Sequence, residues 1–218
     1  MARTQAAEYD ERKEAIVEAA AALFATRGFN GASVADIAQR GKISKSLIYH
    51  YYESKEDILY DVMISHVRAL EEAAREVVAI ADAPDRKLRE LTHRFMALYV
   101  GAANRHKVLI NDLDNLPKGR RSEIVAVQRR LIEIVQKLLV EIEPSLKRRS
   151  GAAFTAAMLY FGQINWTHTW FNPRGPISAG ALAEMAVDVV LGGLRKAADG
   201  TGARVFRPAF MRRRTSGS

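Results

Sequence analysis

The sequence predicts an all-α protein with two helical units. An N-terminal three-helix helix-turn-helix domain precedes a longer C-terminal helical domain. Three observations carry this. Apolar residues recur at three-four spacing through nearly the whole chain. Ser-led capping patterns open short helices near the N-terminus. No run of strict alternation bounded by turn residues suggests a strand. The expected boundaries are 1–55, 56–196 and 197–218, the last a basic, flexible tail.

Ile16, Ala19, Ala20, Leu23 and Phe24 form the apolar face of the first helix, which Gly28 ends. Ser33-Val-Ala-Asp36 is a capping box opening a short second helix with Val34, Ile37 and Ala38 inward. Gly41-Lys42-Ile43 is a turn, and Ser44 caps a third helix over 45–51. Ser54-Lys-Glu-Asp57 is a second capping box, opening a long amphipathic helix to about Ala81. Helices are then expected over 84–103, 105–116, 122–143, 145–170 and 178–195, with Pro84, Pro117 with Gly119, Pro144 and the 172–176 segment as breaks.

Composition narrows the function classes. The 218 residues suffice for a sizeable core. With no cysteine there is no disulfide, Cys-zinc site or thiol nucleophile. Neither a signal peptide nor a run of about 20 apolar residues is found, which leads to the expectation of a soluble, cytoplasmic protein without membrane contact. The net charge of +8 is uneven: residues 1–57 carry 8 basic and 9 acidic groups, residues 195–218 carry 7 and 1. A nucleic-acid role must therefore rest on local clustering. Between Ala38 and Tyr52 that cluster exists: Arg40, Lys42 and Lys45, with no acid.

Two short helices across a three- or four-residue turn are helix-turn-helix arithmetic. The outward face of the second carries Lys45, Ser46, Leu47, Tyr49 and His50, free to enter a major groove. Lys45 can reach a phosphate or a guanine edge, and Leu47 suits a thymine methyl. Ser46 permits close approach. Tyr49 and Tyr51 can donate hydroxyls to phosphates, and His50 can touch base or backbone. Ser33, Ser44 and Lys55 stand at helix N-termini, where free N–H groups favour phosphate. The plainer alternative is a packed, solvated helix pair.

Residues 12–59 resemble the N-terminal domain of the TetR family of bacterial transcription regulators. The resemblance lies in Ala20-Ala-Ala-Leu23-Phe24, Arg27-Gly28-Phe29, Ser33-Val-Ala-Asp36-Ile37-Ala38, Ser44-Lys-Ser-Leu-Ile48-Tyr49-His50-Tyr51-Tyr52 and Ser54-Lys55-Glu56. It departs at Lys42, where the family often has Gly; a left-handed Lys costs roughly 1 kcal/mol. It departs again at Ser46 and Leu47, which bear on base preference. The resemblance implies a homodimeric regulator, expected to be a repressor, on a palindromic operator, released by a small hydrophobic effector, with residues 1–55 for DNA binding and 56–196 for ligand binding and dimerisation. It also implies a dimer contact through the last two helices, which carry Met158, Leu159, Phe161, Leu182, Met185, Val189, Val190 and Leu194.

The effector pocket is expected within 98–170, with Leu98, Tyr99, Leu109, Leu113, Phe161 and Trp166 as apolar walls and Asn165 and Thr169 as polar anchors. Residues 165–176 resemble a stretch of TetR-type regulators of fatty-acid, steroid and aromatic-acid breakdown, which implies an acyl- or aryl-CoA effector. Arg120, Arg121, Arg129 and Arg130 are candidates for its phosphates. No cofactor or metal is expected. Two alternatives stand beside this reading: sequence-independent DNA binding through the Arg204–Arg214 segment, and a helical-bundle enzyme. The latter rests on a single Glu90-x-x-His93, where a di-iron bundle needs two such pairs.

Overall fold

The computed structural model describes residues 2–198, with side chains over 9–194; the expected tail lies outside the described residues. The described chain is all helical: α1 (Ala2–Arg27), α2 (Val34–Gly41), α3 (Lys45–Tyr51), α4 (Lys55–Ala79), α5 (Pro84–Gly101), α6 (Ala103–Asn111), α7 (Lys118–Ile142), α8 (Ala152–Asn165) and α9 (Ala179–Ala198). Short 3-10 turns fill 113–115, 144–148 and 166–169.

The predicted starts of α2, α3 and α4 hold because each has its cap. Ser33 and Ser54 close capping boxes with Asp36 and Asp57, and Ser44 Oγ accepts from Leu47 N at 3.1 Å. Gly28 ends α1 in the left-handed region at φ 72°. Gly31 is needed for space: a Cβ there would stand 2.3 Å from the Arg27 carbonyl oxygen.

Three expected boundaries move. Pro117 does not hold α7 off to Ser122; it stands directly before Lys118, where its missing N–H costs nothing. The expected helix 105–116 stops at Asn111 and tightens into a 3-10 turn. The expected helix 145–170 is interrupted at Gly151 (φ 77°) and leaves α-geometry after Asn165.

Two cores share α4 and α7. The first gathers Ile16, Phe24, Ile37 and Ile48 of the N-terminal helices around Ile58, Leu59 and Met63 of α4, and reaches Val108 and Leu109 of α6 and Ile124 of α7. The second packs Leu70 and Val77 of α4 with Phe95, Val135, Tyr160 and Val187 of the later helices. One stiff helix, α4, thus carries the α1–α3 unit on its first turns and the C-terminal bundle on the rest.

Candidate DNA-binding and effector sites

The α2–α3 turn is built on a left-handed lysine. Lys42 adopts φ 54°, ψ 40°. Ile43 N donates to Ala38 O at 3.0 Å and Lys42 N to Gln39 O at 3.3 Å, the paired bonds of a Schellman C-terminus. Ile43 then folds back onto the first core. The turn keeps its geometry without glycine, at the cost of a strained lysine.

This turn sets α3 with Ile48 fully buried beneath and its other face open. Ser44, Lys45, Ser46, Tyr49 and His50 are exposed, and Leu47 is half-buried. Arg40, Lys42 and Lys45 are exposed around the same face. Tyr51 is half-buried with its ring 4.6 Å from Tyr9 of α1, and His50 meets its edge at 5.3 Å. Ser33 Oγ accepts from Asp36 N. Lys55 is the exception among the expected contacts. Its ammonium donates to Phe29 O and Ala32 O, both at 2.9 Å, and lies 4.1 Å over the Phe29 ring. That charge ties the α1–α2 loop to α4.

The expected effector residues divide into three groups. Tyr99, Leu109, Phe161 and Asn165 line a cavity of about 210 Å³ with Val67, Leu70, Leu131, Ile132 and Met158. Asn165 also lines an outer groove of about 620 Å³ with Trp166, Thr169 and Lys107. Leu98 packs on the second core and Leu113 on the first; neither lines the cavity or the groove. Asn165 Oδ1 accepts from Tyr99 Oη at 2.7 Å, so this anchor is oriented by its own protein. Thr169 Oγ1 donates to the Trp166 carbonyl and faces solvent.

Three of the four arginines are engaged. Arg120 pairs with Asp57 and stacks over Tyr60, Arg121 pairs with Asp114 at 2.7 Å, and Arg130 makes two hydrogen bonds to Glu71. Those bonds hold the Glu71 carboxyl down at about 2. Arg129 is exposed.

Sequence reasoning missed two buried histidines. His66 of α4 and His106 of α6 meet at 3.2 Å, Nε2 to Nδ1. Tyr99 stacks on His106 with ring centroids 3.7 Å apart. Burial pushes His66 down to about 4, helped by Arg105, and His106 down to about 3, helped by His66 and His168. Both are neutral near pH 7. The signal was present: His66 sits between Met63 and Leu70 on the inward stripe of α4, where a polar residue needs a partner. Glu90 and His93 go to different partners, Arg94 and Glu184. No group of three or more ligands that could hold a metal occurs among the described residues. No described helix is long and apolar enough to cross a membrane.

α6 connects the two regions. His106 and Leu109 line the cavity, while Arg105 on the same helix donates to Glu18 at 2.8 Å and pairs with Glu14, both on α1. Just past its end, Asp112 Oδ1 accepts from Phe29 N at 3.4 Å.

A helix-turn-helix with a basic, open recognition helix, mounted on a helical bundle with a small cavity, defines a DNA-binding transcription regulator. The chain belongs to the TetR family of bacterial regulatory proteins. The model of that family's N-terminal domain matches residues 16–62, and a tetracyclin repressor-like C-terminal domain matches 81–194. The chain is similar to the HTH-type transcriptional repressor KstR2 of Mycolicibacterium smegmatis, 26% identical over 190 residues, covering 84% of this chain and 90% of that protein. A crystal structure of a TetR-family regulator from Bordetella parapertussis superposes with TM-score 0.79 at 37% identity, covering 82% of this chain and 93% of that one. AibR, in complex with isovaleryl coenzyme A and operator DNA, shares the fold at TM-score 0.70 and 24% identity, covering 84% and 97%.

Proposed function

We propose that the protein is an effector-responsive repressor that binds a palindromic operator as a homodimer, through residues 1–55 of each protomer, and is released by a CoA thioester. Lys45, Ser46, Leu47, Tyr49 and His50 face the groove; Ser33, Ser44 and Tyr51 address the backbone. The single observation that carries the reading is the α6 arrangement: one nine-residue helix lines an apolar cavity and ion-pairs with α1 of the DNA-binding unit. A ligand that prefers one position of α6 shifts the dimer between DNA-competent and DNA-incompetent populations.

The thioester class has separate support. AibR carries such a ligand, and KstR2 is a repressor, each as its own name states. The cavity and the outer groove lie on either side of Ile110 and Asn165, which line both, and an acyl group inside with its carrier along the groove past Lys107 fits that arrangement. With three arginines of α7 paired, Lys107 is a better partner for the carrier's phosphates. The protein acts by binding in the cytoplasm and catalyses nothing.

Selecting bound duplexes from a random pool at moderate salt tests this. An enriched palindrome, with binding to it weakened by a short acyl- or aryl-CoA, is the expected result. Binding without site preference that vanishes as salt rises would replace it with sequence-independent DNA binding. An enriched palindrome indifferent to every thioester would leave a regulator of another effector class.

A further inference from the structure

His106, one of the residues lining the cavity, has a buried ring nitrogen that makes no hydrogen bond in the fold. His106 is 1% exposed, and its Nε2 alone among the buried side-chain nitrogens and oxygens described makes no hydrogen bond. Buried polar groups are almost always paired. The other ring nitrogen is used: Nδ1 meets His66 Nε2. With His66 as donor, the His106 proton stands on Nε2. The Asn165 backbone carbonyl also favours a proton on this ring, although it accepts from His168 Nδ1. Tyr99 stacks on one face of the imidazole and fixes its plane. On that tautomer the ring offers an uncharged N–H donor beside a mostly apolar cavity.

Size limits what it can hold. An engineered cavity of about 150 Å³ takes benzene; this one measures about 210 Å³. One ring or one short branched chain fits. Charge limits it too. No lysine or arginine lines the cavity, and Arg105 of the same helix is already shared between Glu14 and Glu18, so a carboxylate inside would have no paired charge.

We propose that His106 is the specificity residue of the effector site, its Nε2–H donating to the carbonyl of an uncharged short acyl or monocyclic aryl group seated in the cavity. This rests on the reading of the cavity as the effector site. It adds that the thioester is told from its free acid by this one hydrogen bond and the lack of a counter-charge.

The test separates the two readings by using probes with and without the nucleotide. N-acetylcysteamine thioesters of 3-methylbutanoate and benzoate, labelled with ¹³C at the carbonyl, are titrated against the full chain beside the corresponding CoA thioesters and free acids. Wild type is expected to bind the thioesters, with the carbonyl stretch moved to lower frequency, and to bind the acids at least about tenfold more weakly. His106→Phe keeps the stacked ring and removes the donor; it is expected to bind roughly tenfold more weakly and to lose the frequency shift. Should that variant misfold, the infrared shift in wild type decides alone. Unshifted carbonyls, or acids bound as tightly as thioesters, overturn the proposal while leaving a thioester effector possible. A shifted carbonyl in a complex that still holds its operator supports His106 and overturns the effector reading. No binding of any short thioester overturns both.

Discussion

Lys42 shows how one residue can hold a motif's geometry against its own preference. Its φ of 54° is the only positive value at a non-glycine position among the described residues. A side chain in this region costs about 1–2 kcal/mol, and glycine gives back part of that through its larger unfolded-state entropy. Lys42→Gly should therefore raise stability by roughly 0.5–1 kcal/mol, about 2 °C in melting temperature for a chain this long. The same variant loses a cation beside the recognition helix, so non-specific DNA affinity should fall slightly. A lower melting temperature would show that the lysine stem packs better than its backbone strain suggests. On α3, Lys45→Ala should weaken binding to all duplexes alike and reduce the salt slope by about one ion per half-site. Leu47→Ala should instead relax preference at one base pair per half-site, by about 1–3 kcal/mol. An unchanged preference in a selection experiment would remove Leu47 from the base contacts.

Helices were legible where their signals are local, and illegible where partners decide. The caps at Ser33, Ser44 and Ser54 act within four residues, so the sequence alone located α2, α3 and the start of α4. Pro117 was read as closing one helix because a proline breaks or opens depending on which side the helix lies. The His66–His106 contact joins α4 to α6 across 40 residues, a pairing no periodicity reports. It has a measurable consequence. The folded values, about 4 and about 3, lie below the ordinary value of 6.5. Below that value the unfolded chain binds protons that the folded one refuses, so stability is lost as pH falls from about 6.5 toward 4. The slope approaches 1.4 kcal/mol per pH unit for each imidazole. Between about pH 7.5 and 5.5 the loss should be roughly 2–3 kcal/mol. Chemical denaturation across that range checks it. His106→Phe should flatten the slope by about one proton; an unchanged slope would mean that these rings titrate freely. Glu71, held at about 2 by Arg130 and Arg75, stays ionised throughout this window and does not enter the difference.

The assembled protein leaves an apolar face that a monomer has little reason to keep. Leu159 is 70% exposed and Val189 66%, with Phe154, Met158 and Met185 also exposed along α8 and α9. The eight residues expected at a dimer contact divide here: Phe161 and Leu194 are buried in the protomer, Leu182 and Val190 are half-buried, and four remain open. Sequence could not separate these sets, because both faces of α8 are apolar and only the packing of α5, α7 and α9 decides which is covered. A two-fold contact presents the same patch from each copy, and it fixes the distance between two recognition helices. Met158 belongs to both regions, lining the cavity while remaining exposed on α8. Under the proposed function, a ligand that displaces it would act on this exposed face directly. Leu159→Glu combined with Val189→Glu should convert a dimer to a monomer in sedimentation at micromolar concentration. The helical content should persist, since neither side chain supports the protomer's core. Operator affinity should fall by about 100-fold or more, since one recognition helix must then bind without the other's contribution to effective concentration. Affinity for a single half-site should stay within about twofold, because exposed substitutions remote from α3 leave its contacts in place. A variant that still sediments as a dimer would move the interface elsewhere, and with it the proposed route from cavity to operator.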